Sequence, residues 1–270
     1  MKNNLLYAGI LLLLVFFIAG CTGKENAKEG VSEKIVPETS AVLFSESQDT
    51  GQATIQLPEP RYDGETSVEQ AMKNRRSVRK FTKEALDITD VSQLLWAAQG
   101  ITSEDGKRTA PSAQRLYPLE VYVIALNVNG LAPGAYHYIP QGHLLETIKS
   151  GNMSAEDFTT APAAFVIAAN LEKKPGARPA AANNTPPGNN MPPGNGSAPN
   201  GGPKETTSDT IKTWYYAEIG HAAQNMYLQS ESLDLGMVTT GGFDADKLDS
   251  ELEFPANVTS FYLIPAGHTG

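Results

Sequence analysis

The chain contains a single cysteine, Cys21, and this limits how its folded part can be stabilised. One thiol cannot close an intramolecular disulfide, so no disulfide framework supports the fold. A CxxC redox pair and a thiolate metal site are excluded for the same reason. The folded part must therefore be a domain large enough to depend on its own hydrophobic core.

Residues 1–21 have the layout of a secretory signal. Lys2 gives a positive start, Leu5 to Ile18 is a nearly unbroken apolar run, and small residues precede Cys21. The run is short for a membrane span. The placement of Cys21 resembles a lipobox, whose cysteine is lipidated once the signal is removed; the alternative is an ordinary signal peptide with an incidental cysteine. We expect an exported protein, anchored by lipid at Cys21 to the outer face of the cell membrane.

Composition divides the rest of the chain. Residues 22–61 are polar and predict a flexible tether, which leaves 62–270 for one sizeable domain. Residues 172–209 are dense in Pro, Gly and Asn and lack any helical or strand period. We expect a disordered insertion there, with a functional flap as the alternative. The net charge of -9 argues against nucleic acid as a partner.

Capping residues and hydrophobic periodicity predict the elements of the domain. Helices are predicted at Ser67–Asn74, Asp90–Gly100, Ser154–Asp157, Ile211–Leu235 and Asp244–Leu252, with Gly236 ending the fourth. Strands are predicted over 119–126, 134–139, 143–148, 163–170 and 258–265, and 237–243 reads as a strand that breaks into a glycine loop.

The segment Arg75-Arg76-Ser77-Val78-Arg79-Lys80-Phe81 follows the first predicted helix and carries the strongest chemical signal. Arginine grips phosphate with paired charged hydrogen bonds, serine adds a donor, and the nearby helix turn could add N–H groups. A solvated basic face is the alternative. The pI near 5.0 makes this cluster a local exception in an acidic protein, which favours an anion site.

Two further loops carry hydrogen-bond donors, Pro111-Ser112-Ala113 and Val238 to Gly241. The four histidines do not pair with acidic residues at metal-ligand spacing, so we expect no metal site. No motif of a nucleophilic hydrolase, a Rossmann site or a P-loop is present. A phosphate clamp combined with a glycine loop suits a nucleotide-like aromatic cofactor.

Three segments carry a family resemblance. Residues 75–81 resemble the RRSxRxF signature of the FMN-dependent nitroreductases. Residues 109–113 with 117–121 resemble the PSAGxxYPLE segment of the SagB-type dehydrogenase branch, and 218–228 are similar to that branch's ExGHxxQN central helix. The matches come in the right order and span the chain from about Thr66 to His268, apart from the insertion.

The resemblance implies an α+β fold in which helices surround a mixed, mostly antiparallel sheet, with a long central helix. It also implies a homodimer that binds FMN at each end of its interface. The residues that would contact FMN are Arg75, Arg76 and Ser77 at the phosphate and ribityl chain, Arg79 at the N1/O2 edge, Pro111, Ser112 and Ala113 from the partner subunit, and Val238, Thr239, Thr240 and Gly241 near the ring and N5.

The implied function is an oxidoreductase that passes hydride through flavin N5 to or from a small organic or peptide substrate. A cation at Arg79 would stabilise the reduced, anionic flavin. Two departures from the family pattern stand out: Gln114 replaces a glycine, and His268 stands where relatives often have a phosphate-binding cation. The alternative is a non-catalytic exported lipoprotein that binds a flavin or a partner.

Overall fold

The computed structural model describes residues 44–45, 53–151, 153, 161–174 and 207–270, which fall within one compact unit, Ala41–Gly270. The predicted signal peptide with Cys21, most of the tether, the helix predicted at Ser154–Asp157 and positions 175–206 of the insertion lie outside these residues.

The helices of the described residues are α1 (Val68–Asn74), α2 (Ile88–Gln99), α3 (Ser208–Ser232) and α4 (Ala245–Glu251), with a 3-10 turn at Ala113–Arg115. Three of them begin at the side-chain caps expected of Ser, Thr and Asp. Ser67 accepts from the Gln70 N–H at 3.2 Å, Thr207 from Thr210 N–H at 3.2 Å, and Asp244 from Lys247 N–H at 3.0 Å. None of these helices is long and apolar enough to cross a membrane.

Eight strands of the described residues form one sheet: β1 (Phe44–Ser45), β2 (Thr54–Gln56), β4 (Leu119–Ala125), β6 (Gly134–Ile139), β7 (Leu144–Ser150), β8 (Ala163–Asn170), β9 (Leu235–Met237) and β10 (Val258–His268). Their spatial order is β1-β2-β7-β6-β4-β8-β10-β9, and every neighbouring pair is antiparallel. A separate parallel pair joins β3 (Leu86–Asp87) to β5 (Val128–Asn129).

The core lies on both faces of the sheet. On one face α2 and α3 pack against it through residues such as Leu94, Ile219 and Met226. On the other face α4 covers it through Leu248 and the adjoining Leu252. The α+β architecture, the largely antiparallel sheet and the long helix against its face confirm the predicted fold class.

Several predicted element ends were wrong. The strand predicted over 237–243 is β9 at Leu235–Met237, α3 begins at Ser208 and not at Ile211, and β10 runs on to His268. The second helix begins at Ile88 because Asp87, not Asp90, is its N-cap, and Asp90 occupies the third position of that capping box. Gly236 does not stop α3, which ends at Ser232; it lies in β9. A Cβ at Gly236 would come within 2.6 Å of Thr269 and 2.8 Å of Val78, so glycine is required there for a close backbone approach.

The predicted boundary between tether and domain at residue 61 is too late in the chain. Strand β2 pairs with β7 along the sheet, and Ile55 and Leu57 are 6% and 2% exposed. A strand of three residues is too short to show a period in the sequence. Pairing with the edge of β7 holds β2 in the sheet, and Ile55 and Leu57 are then buried in the core.

Candidate functional site

The hydroxyl of Tyr227 on α3 joins two of the predicted site segments. It accepts a hydrogen bond from the Thr239 N–H at 2.9 Å and lies 3.3 Å from Ser77 Oγ and 3.5 Å from Thr239 Oγ1. Tyr227 is 7% exposed, whereas Ser77 is exposed and Thr239 half-buried, so the contacts lie at the edge of the core. The arginine-rich segment and the glycine loop therefore meet at one side chain.

Arg75 packs against the same tyrosine. Its guanidinium carbon lies 5.0 Å from the centroid of the Tyr227 ring, a cation–π contact that holds the charge at the residue that Ser77 also contacts. Burial alone raises the pKa of Tyr227, but the hydrogen bonds from Ser77 and Thr239, helped by the charge of Arg75, outweigh burial and lower that pKa. The environment around the hydroxyl is thus one that favours negative charge.

The side chain of Arg76 hydrogen-bonds to the C-terminal end of α1. Its Nη1 donates to three carbonyl oxygens at that end, those of Lys73 at 3.1 Å, Asn74 at 3.3 Å and Arg75 at 2.8 Å. The helix terminus beside the cluster is therefore a C-terminus, where carbonyl oxygens and not N–H groups are free. The prediction that this helix turn supplies N–H donors to an anion was wrong.

The arginines of this segment are not neutralised within the described part of the chain. Arg75, Arg76 and Arg79 have no carboxylate within 4.0 Å there, whereas Lys107, Arg115 and Lys173 each have one. Arg76 and Arg79 are exposed, and Arg75 is half-buried. Concentrated cations without counter-ions, next to a serine hydroxyl, attract an anionic ligand.

The glycine loop offers fewer backbone donors than predicted. Three of its N–H groups already donate within the protein, Val238 to Pro265 O at 3.3 Å, Thr239 to Tyr227 Oη at 2.9 Å and Thr240 to Leu263 O at 2.9 Å. The N–H groups of Gly241 and Gly242 have no hydrogen bond to any described residue, and a Cβ at Gly242 would meet nothing within 4 Å. A ligand can approach the loop closely at these two glycines.

The segment Pro111-Ser112-Ala113, in the loop between α2 and β4, lies near a different part of α3. Ser112 is close enough to Glu218 to lower its pKa against the larger effect of burial, and Glu218 precedes Tyr227 on α3 by roughly 13 Å along the helix axis. The Ser112 hydroxyl also accepts from the Tyr117 N–H at 2.8 Å. Within one chain, the structure therefore does not bring this segment to the arginine cluster.

His268 ends β10 beside the residues that follow the arginine cluster. Its carbonyl accepts from the Thr82 N–H at 2.9 Å, and its side chain is close enough to Asp90 to oppose, in part, the burial that raises the Asp90 pKa. No hydrogen bond joins His268 to Arg75, Arg76 or Ser77 among the described contacts. Its predicted place near a phosphate stays a prediction.

Sequence reasoning gave no individual role to two buried residues of this region, Tyr227 and Glu218. Both lie in the segment 218–228 that a family resemblance singled out, but apart from that resemblance an aromatic ring and one acidic side chain on a long helix carry no signal that separates a functional role from packing. Their partners come from segments far away in the sequence. Among the described residues, no group of three or more His, Cys, Asp or Glu side chains could hold a metal ion.

Comparisons with known proteins agree on one family. A model described as "Nitroreductase family" matches residues 72–268. A Methanocaldococcus jannaschii protein whose name places it among the nitroreductases is 32% identical over 198 residues, which cover 70% of this chain and 84% of that protein.

Two crystal structures that are also named as nitroreductases are similar in fold. The one from Ralstonia eutropha has a TM-score of 0.61 and 25% identity, covering 85% of this chain and 96% of its own. The one from Anabaena variabilis has a TM-score of 0.61 and 20% identity, covering 87% of this chain and 45% of its own.

Proposed function

The chain belongs to the nitroreductase family of oxidoreductases, and from this premise we propose that it is an FMN-dependent enzyme of the SagB-type dehydrogenase branch. Its substrate is a small organic molecule or a modified peptide. When bound, FMN supplies hydride transfer in either direction. The residues of the chain bind this cofactor, orient it and set the charge around it.

One observation carries this proposal: Tyr227 contacts both the arginine cluster and the glycine loop, and the arginines have no acidic partner in the described structure. FMN has a dianionic phosphate at one end and a flat ring at the other. Arg75 and Ser77 match the phosphate, because they present a charged and a neutral donor side by side. Gly241 and Gly242 match a flat ring, because their backbone has no side chain to keep it away. The residues present therefore fit the cofactor.

Each remaining predicted residue has a role in this proposal. Arg76 completes the positive field while its Nη1 stays on the carbonyls of α1. Arg79 is exposed two positions after Ser77, and we assign it to the pyrimidine edge of the ring, where a cation stabilises negative charge. Thr239 and Val238 hold the loop through their own hydrogen bonds. His268 adds a charge at the phosphate end when protonated.

We propose that two copies of the chain form each site. The separation between Ser112 and the arginine cluster along α3 leaves the segment 111–113 without contact to its own chain's cluster. A second copy would bring that segment to the cofactor. The surface beside the cluster supports this arrangement, because Val68 and Met72 on α1 are each 59% exposed and Val68 borders a groove with Trp96 and Leu228.

The branch assignment and the location of the protein rest on sequence patterns. The two segments that resemble the SagB-type branch contact each other through Ser112 and Glu218, which supports reading them as parts of one site. We propose export and lipid attachment at Cys21 from the pattern of residues 1–21. Labelled palmitate incorporated by the parent chain and not by Cys21→Ser would support attachment; equal labelling would refute it.

An absorbance spectrum of the purified protein, followed by titration with FMN, tests the main proposal. We expect a bound flavin spectrum, which then bleaches with NADH, NADPH or another organic donor and returns with an acceptor. Absence of FMN binding would refute the proposal. Flavin that binds but is reduced only by dithionite would indicate a non-catalytic flavin-binding protein instead.

A further inference from the structure

A buried carboxyl group on α3 has no role in the chemistry described above. Glu218 is 2% exposed, and its Oε1 has no hydrogen-bond partner among the described residues. Buried carboxyl oxygens are nearly always paired, because the charged form loses its hydration. Burial, the largest influence, raises the pKa of Glu218 to about 7, while Ser112 and Arg108 oppose it.

The neighbours of Glu218 come from every element packed against it. From α2, Gln99 is fully buried and its Nε2 also lacks a partner in the described structure. Gln99 Oε1 accepts from Arg108 Nη1 at 2.8 Å. The charged and titratable groups that act on Glu218 are Arg108 from the loop between α2 and β4, Lys173 after β8, and Tyr215 on α3 itself. Tyr117 packs against Arg108, and Glu120 on β4 pairs with Lys173.

The loop that lies over Glu218 has an unusual backbone. Gln114 and Arg115 have φ of 56°, and Tyr117 has φ of 44°. Residues other than glycine rarely adopt these backbone angles. Such a conformation persists only when surrounding contacts hold it. Ser112 Oγ accepts from the Tyr117 N–H at 2.8 Å, and the Arg108 guanidinium lies 4.7 Å from the centre of the Tyr117 ring.

These contacts converge on Glu218. Burial favours the neutral carboxyl group, because the charged form loses its hydration there, whereas Ser112 and Arg108 favour the charged form without outweighing burial. Ionisation is therefore easier when the loop opens and water reaches Glu218, and the left-handed backbone of the loop then loses the contacts that hold it.

We propose that Glu218 is the positioning residue of the loop 111–117, and that its neutral form holds the loop in the conformation described. The consequence for the enzyme rests on the proposed function, in which this loop faces the FMN of a second copy. Ionisation of Glu218 then loosens one wall of that site.

Hydrogen exchange of the full chain, measured by mass spectrometry without FMN at pH 6 and pH 8, tests the positioning role. After correction for the intrinsic pH dependence of exchange, protection of 111–117 should fall about tenfold between these values, because a loosened loop returns Glu218 to its ordinary acidity. Glu218→Gln keeps the carboxyl site neutral and should show no such fall. Glu146→Gln, which alters a half-buried carboxylate outside this cluster, should behave like the parent.

A flat response in the parent, or a tenfold fall that persists in Glu218→Gln, would overturn the proposal. If Glu218→Gln does not fold, Glu218→Met, which is uncharged and of similar length, replaces it. FMN titration at the same two pH values separates this inference from the proposed function. The parent Kd should be weaker at pH 8 than at pH 6, and that of Glu218→Gln should be the same at both. No FMN binding at either pH would refute the proposed function alone, whereas pH-independent FMN binding would refute the link between loop and cofactor.

Discussion

Removing the hydroxyl group of Tyr227 tests whether this residue holds the candidate site together. Tyr227→Phe keeps the ring, so the packing of α3 and the contact with Arg75 at 5.0 Å are retained. What is lost is the acceptor of the Thr239 N–H at 2.9 Å and the contact with Ser77 Oγ at 3.3 Å. The substitution therefore separates the two loops without emptying the core.

The expected loss of stability follows from these contacts. A backbone N–H left without a partner costs about 1–3 kcal/mol, and the bond to Ser77 contributes about 0.5–1.5 kcal/mol. A total near 2 kcal/mol lowers Tm by roughly 4–8 °C for a domain of this size. Because Ser77 and Thr239 lose their common support, the FMN Kd should also rise, by about five- to tenfold.

Tyr136→Phe is the matched control. The Tyr136 hydroxyl donates to Ala132 O at 2.7 Å on strand β6, so this variant loses a buried hydrogen bond without touching the arginine cluster. Thermal unfolding followed by circular dichroism and FMN titration by flavin fluorescence give both quantities. We expect a comparable loss of Tm in both variants and weaker FMN binding only in Tyr227→Phe. Equal FMN affinity in the two variants would refute the view that Tyr227 positions the site.

Three further predictions concern separate parts of the domain. Arg75→Ala should weaken FMN binding about 10- to 100-fold in a titration, because a charged hydrogen bond is lost. Lys107→Ala is the control, because the Lys107 ammonium group already pairs with Asp105. Burial lowers the pKa of His143 below 6.5, so the unfolded state takes up a proton at a higher pH than the folded state does. The Tm of the parent should therefore decline relative to that of His143→Gln between about pH 7 and pH 5. A difference in Tm that stays constant over this range would contradict the prediction. Leu57→Ala should lower the free energy of unfolding, measured in urea, by about 2–5 kcal/mol, because Leu57 is 2% exposed. An unchanged urea midpoint would indicate that Leu57 belongs to the tether and not to the folded domain.

The sequence predicted the elements that have a long or capped pattern. The strands at 134–139 and 163–170 have the predicted bounds, and Ser67 caps α1 as expected. Short elements escaped, because two or three residues show no period, as in β2 and β3. Their pairing is decided by the sheet edge or strand that they meet.

The site was predictable from the sequence only segment by segment. Gln114, which stands where the resemblance leads us to expect glycine, has φ of 56°, a conformation that glycine adopts without strain and other residues rarely adopt. The segments around Ser77 and Thr239 could be singled out from their composition, but their meeting point could not. Tyr227 is far from Ser77 in the sequence, and only the packing of α3 brings the two side chains together.

The two halves of the candidate site are linked because one helix carries both. Tyr227 contacts Ser77 of the arginine cluster and Thr239 of the glycine loop, and Glu218, about two and a half turns earlier on α3, is the residue that we propose positions the loop 111–117. A helix is stiff over this length, so the separation between the halves is constant within one chain. In the proposed site of two copies, the placement of the two α3 helices therefore sets the dimensions, and a change in the charge of Glu218 acts on one wall while the phosphate end stays in place.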